Sequence, residues 1–144
     1  MAGRARVPCP GDGGPRLSRR RVSSGGPWEA SAGYARAIAV GDSCWVSGTT
    51  DAGPDGTSLH PGDPAAQARA AFAIVERALG EAGFALEDVV RTRMYVVDAA
   101  HAGAVGAVHG ELFRDVRPAA TLVVVAGLMT PTLLVEVEAE ARKG

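Results

Sequence analysis

Near its end the chain reads LLVEVEAEA, Leu133 to Ala141, and this alternation of apolar and acidic residues constrains the fold more than any other stretch. Successive side chains of an extended strand point to opposite faces, so Leu133, Val135, Val137 and Ala139 share one face and Glu136, Glu138 and Glu140 the other. A helix would scatter the same residues around its circumference. One face of this strand therefore belongs to a core. A second segment, VVRTRMYVV from Val89 to Val97, has the complementary pattern: Val90, Thr92, Met94 and Val96 on one face, Arg91, Arg93 and Tyr95 on the other. Such an Arg- and Glu-bearing face is either solvated or packs against copies of itself, pairing charges across strands or subunits.

The remaining elements follow from local chemistry. Tyr34 to Val40 and Ser43 to Ser47 are short runs with β-branched and aromatic residues, and the Gly41-Asp42 pair between them suits a tight hairpin turn. The Gly-, Pro- and Asp-rich stretch after Gly48 reads as loop. Asp63-Pro64 supplies an N-cap and a proline at the first helical position. Ala68, Ala71, Phe72, Val75, Ala78, Leu79 and Ala82 then recur at helical steps until Gly83 can end the helix in the left-handed region. A second helix, weakened by Gly103, Gly106 and Gly110, is predicted from about Ala99 to Phe113. Ala119 to Ala126 is almost wholly apolar, as expected of a central strand covered on both faces. The order hairpin, helix, strand, helix, two strands implies an α+β layer, a mixed sheet with two helices on one face.

At 144 residues and 47% apolar content the chain suffices for one core and one domain, expected over residues 27–144. Residues 1–26 are rich in Gly, Pro, Arg and Ser and lack periodicity, which predicts a disordered tail with Arg19, Arg20 and Arg21 solvated. An upstream start assignment, with the natural chain beginning near Arg19 to Val22, would explain the same composition. A net charge of −1 gives no electrostatic case for nucleic acid as a partner. No apolar run reaches membrane-spanning length, because Gly127, Pro131 and Glu136 interrupt the longest ones. Cys9 and Cys44 lie far apart without ligand spacing, consistent with reduced thiols in a cytoplasmic protein. His60, His101 and His109 show no metal-ligand spacing, and no Gly-rich nucleotide motif joins a strand to a helix, so neither metal nor cofactor is expected.

Five segments, in order, support a family comparison. Tyr34 to Gly48 with its Ser47-Gly48 pair, Gly62 to Ala68, Gly83 to Val97, Arg117-Pro118-Ala119, and Val135 to Ala139 resemble the RidA (YjgF) family of small imine and enamine deaminases. The resemblance covers about Pro27 to Ala141. It implies a homotrimer whose sheets form a central barrel, with clefts at subunit boundaries that bind small imine, enamine or carbonyl compounds without a cofactor. It also implies that Tyr34 lines the cleft, that Ser47 and Gly48 contribute to substrate binding, and that Glu136 orients the hydrolytic water. Deaminating members place a carboxylate-gripping arginine on the strand after the Pro-Ala pair, where this chain has Ala120, followed by Thr121. Losing a charge-assisted contact costs about 1.5–3 kcal/mol per hydrogen bond, so efficient hydrolysis of 2-iminopropionate-like acids is not expected. Arg93, Arg117 and His109 are the candidate substitutes for the missing charge. Each also has a structural alternative: an ion pair of Arg93 with Glu136 or Glu138, a solvated Arg117, a surface or packing His109. Two functions remain compatible with this pattern, an imine or enamine hydrolase with altered specificity and a non-catalytic trimeric ligand-binding or regulatory protein.

Overall fold

The computed structural model describes residues 17–144, and in it the alternating segment lies inside a six-stranded sheet. In chain order the strands are β1 (Arg19–Val22), β2 (Ala37–Val40), β3 (Ser43–Thr49), β4 (Val89–Val96), β5 (Ala119–Val124) and β6 (Val135–Arg142). Their spatial order is β1-β2-β3-β6-β4-β5. All neighbours are antiparallel except β4 and β5, which are parallel. The helices are a single turn, α1 (Glu29–Ala32), then α2 (Pro64–Ala82) and α3 (Ala102–Leu112). The expected α+β architecture, with a mixed sheet and its two long helices on one face, is what forms.

Helix α2 begins as its sequence dictates: Asp63 accepts a hydrogen bond from the Ala66 amide at 2.9 Å, and Pro64 follows at the first position. Gly83 ends it with φ 87°, a conformation that costs a β-carbon-bearing residue energy. The apolar stripe Ala68, Ala71, Phe72, Val75, Ala78 and Leu79 is buried against the sheet. Gln67 shares that stripe and is wholly buried, yet its amide is satisfied. It donates to the carbonyls of His60 and Thr132 and accepts from the Leu134 amide, stapling two loops to the helix. The second helix opens with a 3-10 turn over Ala99–His101, capped by the Asp98 side chain, before α3 proper. Among the described residues no helix is long and apolar enough to cross a membrane.

The β6 pattern is reproduced residue by residue: Val135, Val137, Ala139 and Ala141 are buried and the intervening acids face away from the helices. On β4 the register shifts between Val89 and Arg91, so Val89 turns inward and Val90, expected inside, is 49% exposed. This is a β-bulge, which places one extra residue opposite a single partner and reverses its facing. Two further expectations are corrected. The tail expected to be disordered to residue 26 includes β1, where Arg19, Arg20, Arg21 and Val22 pair with Val40, Ala39, Ile38 and Ala37. Main-chain hydrogen bonds order this segment, and Val22 is the only one of the four that is buried. Residues 1–16 lie outside the described range. Strand β5, expected to be central, is instead the sheet edge, and most of its residues are exposed. Cys44 is a free thiol buried in the core, where desolvation pushes its pKa up to about 11. Cys9 falls outside the described residues.

Candidate functional site

The site is built around an irregularity in β3. Val46 pairs with Ala139 and Thr49 with Val137, so three residues advance along β3 while two advance along β6. The extra residue falls at Ser47-Gly48, one of the pairs singled out in the sequence. At this bulge the backbone approaches Glu136 so closely that a β-carbon on Gly48 would overlap its carboxylate. Any larger residue there would have to displace the Glu136 carboxylate, so glycine is favoured by contact and not by backbone dihedral angles.

Arg36, which the sequence reading passed over, organises the surrounding wall. Its Nη1 donates to the Gly48 carbonyl at 2.6 Å, a backbone group inside the bulge, and to the Thr49 hydroxyl Oγ1 at 2.8 Å. Arg36 is 6% exposed, and its guanidinium carbon sits 5.5 Å from the centroid of the Tyr34 ring. Glu29 supplies the counter-charge, with Oε1 3.5 Å from Arg36 Nε. Burial alone would push the Glu29 carboxyl up. Hydrogen bonds from Ser23, Ser24 and the Gly26 amide outweigh it and hold the pKa at about 2. A parity signal existed: in an extended run, Tyr34 and Arg36 point to the same face.

These groups enclose a cavity of about 400 Å³. Tyr34, Arg36, Ser47, Gly48 and Glu136 line one side, and Pro27, Trp28, Ala32, Ile74 and Met129 give the rest an apolar surface. Trp28 packs over Gly56, and Thr130 Oγ1 donates to the Gly56 carbonyl, joining the loop after β3 to the one before β6. The Ser47 hydroxyl donates to the Ala35 carbonyl at 2.7 Å, fixing its rotamer. Glu136 has no hydrogen-bond partner among the described residues. Burial first, and then the Glu138 charge, raise its pKa above the ordinary carboxylate value against the opposing pull of Arg36. A half-buried carboxylate without a hydrogen-bond partner can accept a proton or hold a water in the cavity.

Thus Tyr34, Ser47, Gly48 and Glu136 converge, whereas the other predicted site residues stand elsewhere. Ala120 and Thr121 are on β5, two strand spacings or about 10 Å from β6. Ala120 pairs with Thr92, whose side chain is buried towards the helices, so within one chain position 120 cannot supply the cavity. Arg93 lies on the open face, but its Nη1 contacts Glu138 at 3.1 Å and Glu140 at 2.8 Å and leaves Glu136 unpaired. Arg117 has φ 51°, the only positive value on a non-glycine among the described residues, and its Nε donates to the Arg114 carbonyl. His109 is not an accessible charge. Its Nε2 is 2.8 Å from Thr92 Oγ1, its ring packs between Phe72 and Phe113, and burial lowers its pKa. Among the described residues no cluster of three or more His, Cys, Asp or Glu could hold a metal ion.

Comparison with known proteins places the chain in a family of this fold. The family model described as Endoribonuclease L-PSP matches residues 27–143. Streptomyces coelicolor protein SCO2049 is 46% identical over 126 residues, covering 87% of this chain and 92% of its own. The 3-aminoacrylate deaminase RutC of Acinetobacter baylyi is 33% identical over 108 residues, covering 75% and 85%. The crystal structure of Rv2704 from Mycobacterium tuberculosis, a member of the YjgF/YER057c/UK114 family, superposes with a TM-score of 0.79 at 45% identity, covering 88% of this chain and 100% of that one.

Proposed function

The chain belongs to the YjgF/RidA family, and from that premise we propose that it hydrolyses an imine or its enamine tautomer, without a cofactor, in the cavity beside the β3 bulge. The observation that carries this reading is Glu136: a half-buried carboxylate of raised pKa, without a hydrogen-bond partner among the described residues, facing an apolar cavity. Its role is to accept a proton from a water as the water oxygen bonds to the imine carbon and the C=N π pair moves to nitrogen. The proton then passes from Glu136 to that nitrogen, giving the carbinolamine; its hydroxyl proton is relayed to the amine through the same carboxylate as the C=O bond forms and the C–N bond breaks, and ammonia and a carbonyl compound leave. Tyr34 and the bulge at Ser47-Gly48 shape the position of the reacting carbon. The 33% identity to RutC, a deaminase, supports the reaction class.

The assembly we propose is a homotrimer in which the exposed β5 of one subunit lies against its neighbour. Val123 on β5 and Trp45 on β3 share the open sheet face and are 41% and 47% exposed, and Val124, on the other side of β5, is 54% exposed, so both faces of the edge strand offer apolar area for burial between subunits. A neighbour's β5 could then bring Ala120 and Thr121 to the rim of a cavity that their own chain keeps them from. The test is ammonia release from freshly generated imines, compared with the uncatalysed rate and with Glu136→Gln. No acceleration by the wild type sinks the enzymatic reading, and ligand binding without turnover would favour the binding-protein alternative.

A further inference from the structure

Resting on the imine-hydrolysis reading, we propose that this cavity takes aryl- or alkyl-bearing imines that carry no carboxylate, and excludes 2-imino acids. The obvious anion-binding group is already committed. Of the five N–H groups of the Arg36 guanidinium, Nε donates to Ser24 Oγ, both on Nη1 go to Gly48 O and Thr49 Oγ1, and one on Nη2 reaches the Tyr34 hydroxyl at 3.4 Å. One N–H remains, and a carboxylate fork needs two in parallel. The Arg36 charge is also neutralised by Glu29 at 3.5 Å.

The other charged residue that this chain places on the cavity wall is Glu136, which carries the opposite sign from the one a carboxylate requires, and the neighbour's strand proposed above brings the uncharged Ala120 and Thr121. A substrate carboxylate would be desolvated beside an unpaired acid. A neutral imine avoids this, and a protonated one gains from it. The rest of the wall, with Trp28, Ile74 and Met129, offers apolar contact, and about 400 Å³ accommodates a phenyl-sized group. The reaction is R–CH=NH + H2O giving R–CHO + NH3, so a step that oxidises a primary amine is the class of reaction that supplies the substrate.

The experiment uses a matched series on the full-length protein in its native assembly. Binding of phenylacetamide, phenethylamine and phenylacetate is followed by tryptophan fluorescence, and hydrolysis is compared for two imines. One is made in situ from phenethylamine by an amine oxidase, the other from phenylalanine by an amino-acid oxidase. Phenylacetate is expected to bind at least ~10-fold more weakly than phenylacetamide, and the carboxylate-free imine to be hydrolysed at least ~10-fold better in kcat/KM. Glu136→Gln should narrow the gap in binding between phenylacetate and phenylacetamide. Equal or tighter binding of phenylacetate, preference for the 2-imino acid, or no binding by any of the three overturns the proposal. Absence of turnover with the binding order intact defeats the hydrolytic reading alone and leaves the ligand preference standing.

Discussion

Arg36 and Glu29 illustrate how a buried ion pair can be retained as part of a site's wall. Removing either partner leaves the other charge in a low-dielectric setting. Because the Glu29 pKa falls to about 2 in the folded protein, its stabilisation is complete above the ordinary carboxylate range and is lost as the pH drops towards 2. Glu29→Gln should therefore cost roughly 2–3 kcal/mol at neutral pH and flatten the acid limb of the stability profile, measurable by urea unfolding from pH 7 to 3. Glu136 has the reverse sign. Its raised pKa means the folded state holds the proton more tightly than the unfolded one, so stability falls as the pH rises from the carboxylate range through that raised value. Glu136→Gln should raise Tm at neutral pH while cutting imine hydrolysis by about 100-fold. A variant that loses stability and keeps activity would show the carboxylate to be structural. The strand pattern put Glu136 on the face away from the core and only the family resemblance gave it a role, while Arg36 was hidden, because its burial depends on partners at Glu29 and Thr49.

At the scale of elements, the β3 bulge decides the site. Gly48→Ala sets a β-carbon against the Glu136 carboxylate, which must swing away, so the variant should bind cavity ligands more weakly while losing only about 1 kcal/mol or less, as read by fluorescence titration and thermal unfolding. Unchanged binding would mean that the bulge has no role in the cavity. Strand β1 shows why its reading failed. RRRV offers a single buried side chain, and its order comes from main-chain pairing with β2, which composition does not reveal. A chain trimmed to begin at Ser23 should accordingly melt several degrees below one trimmed to begin at Leu17, roughly what a loss of 1–2 kcal/mol predicts. Helix α2 is the opposite case: cap, proline, stripe and terminal glycine all acted locally, and all were readable from the sequence.

For the whole molecule, the apolar β5 at the sheet edge is the element most in need of a partner. Val123→Asp should convert the proposed trimer to monomer in sedimentation velocity at micromolar concentration, and a wild type that is already monomeric there would remove the basis for the assembly. The apolar run from Ala119 has the composition of a strand covered on both faces. Its composition carries that demand, but nothing in the sequence says whether the cover is the chain's own sheet or another subunit. What the sequence by itself determined was whatever follows from spacing along the chain: the two-residue alternation of β6, the helical stripe and caps of α2, the hairpin turn at Gly41-Asp42, and the convergence of Tyr34, Ser47, Gly48 and Glu136 implied by family resemblance. What only the tertiary structure decided was whatever depends on pairing between distant segments: the register shifts that turn Val90 outward and press Gly48 against Glu136, the choice of Glu138 and Glu140 as Arg93's partners, the packing of His109 against Phe72, Phe113 and Thr92, and the burial of Arg36. Periodicity fixes which face a residue shares with its neighbours. Register and strand order, set by contacts far apart in the chain, fix what that face meets.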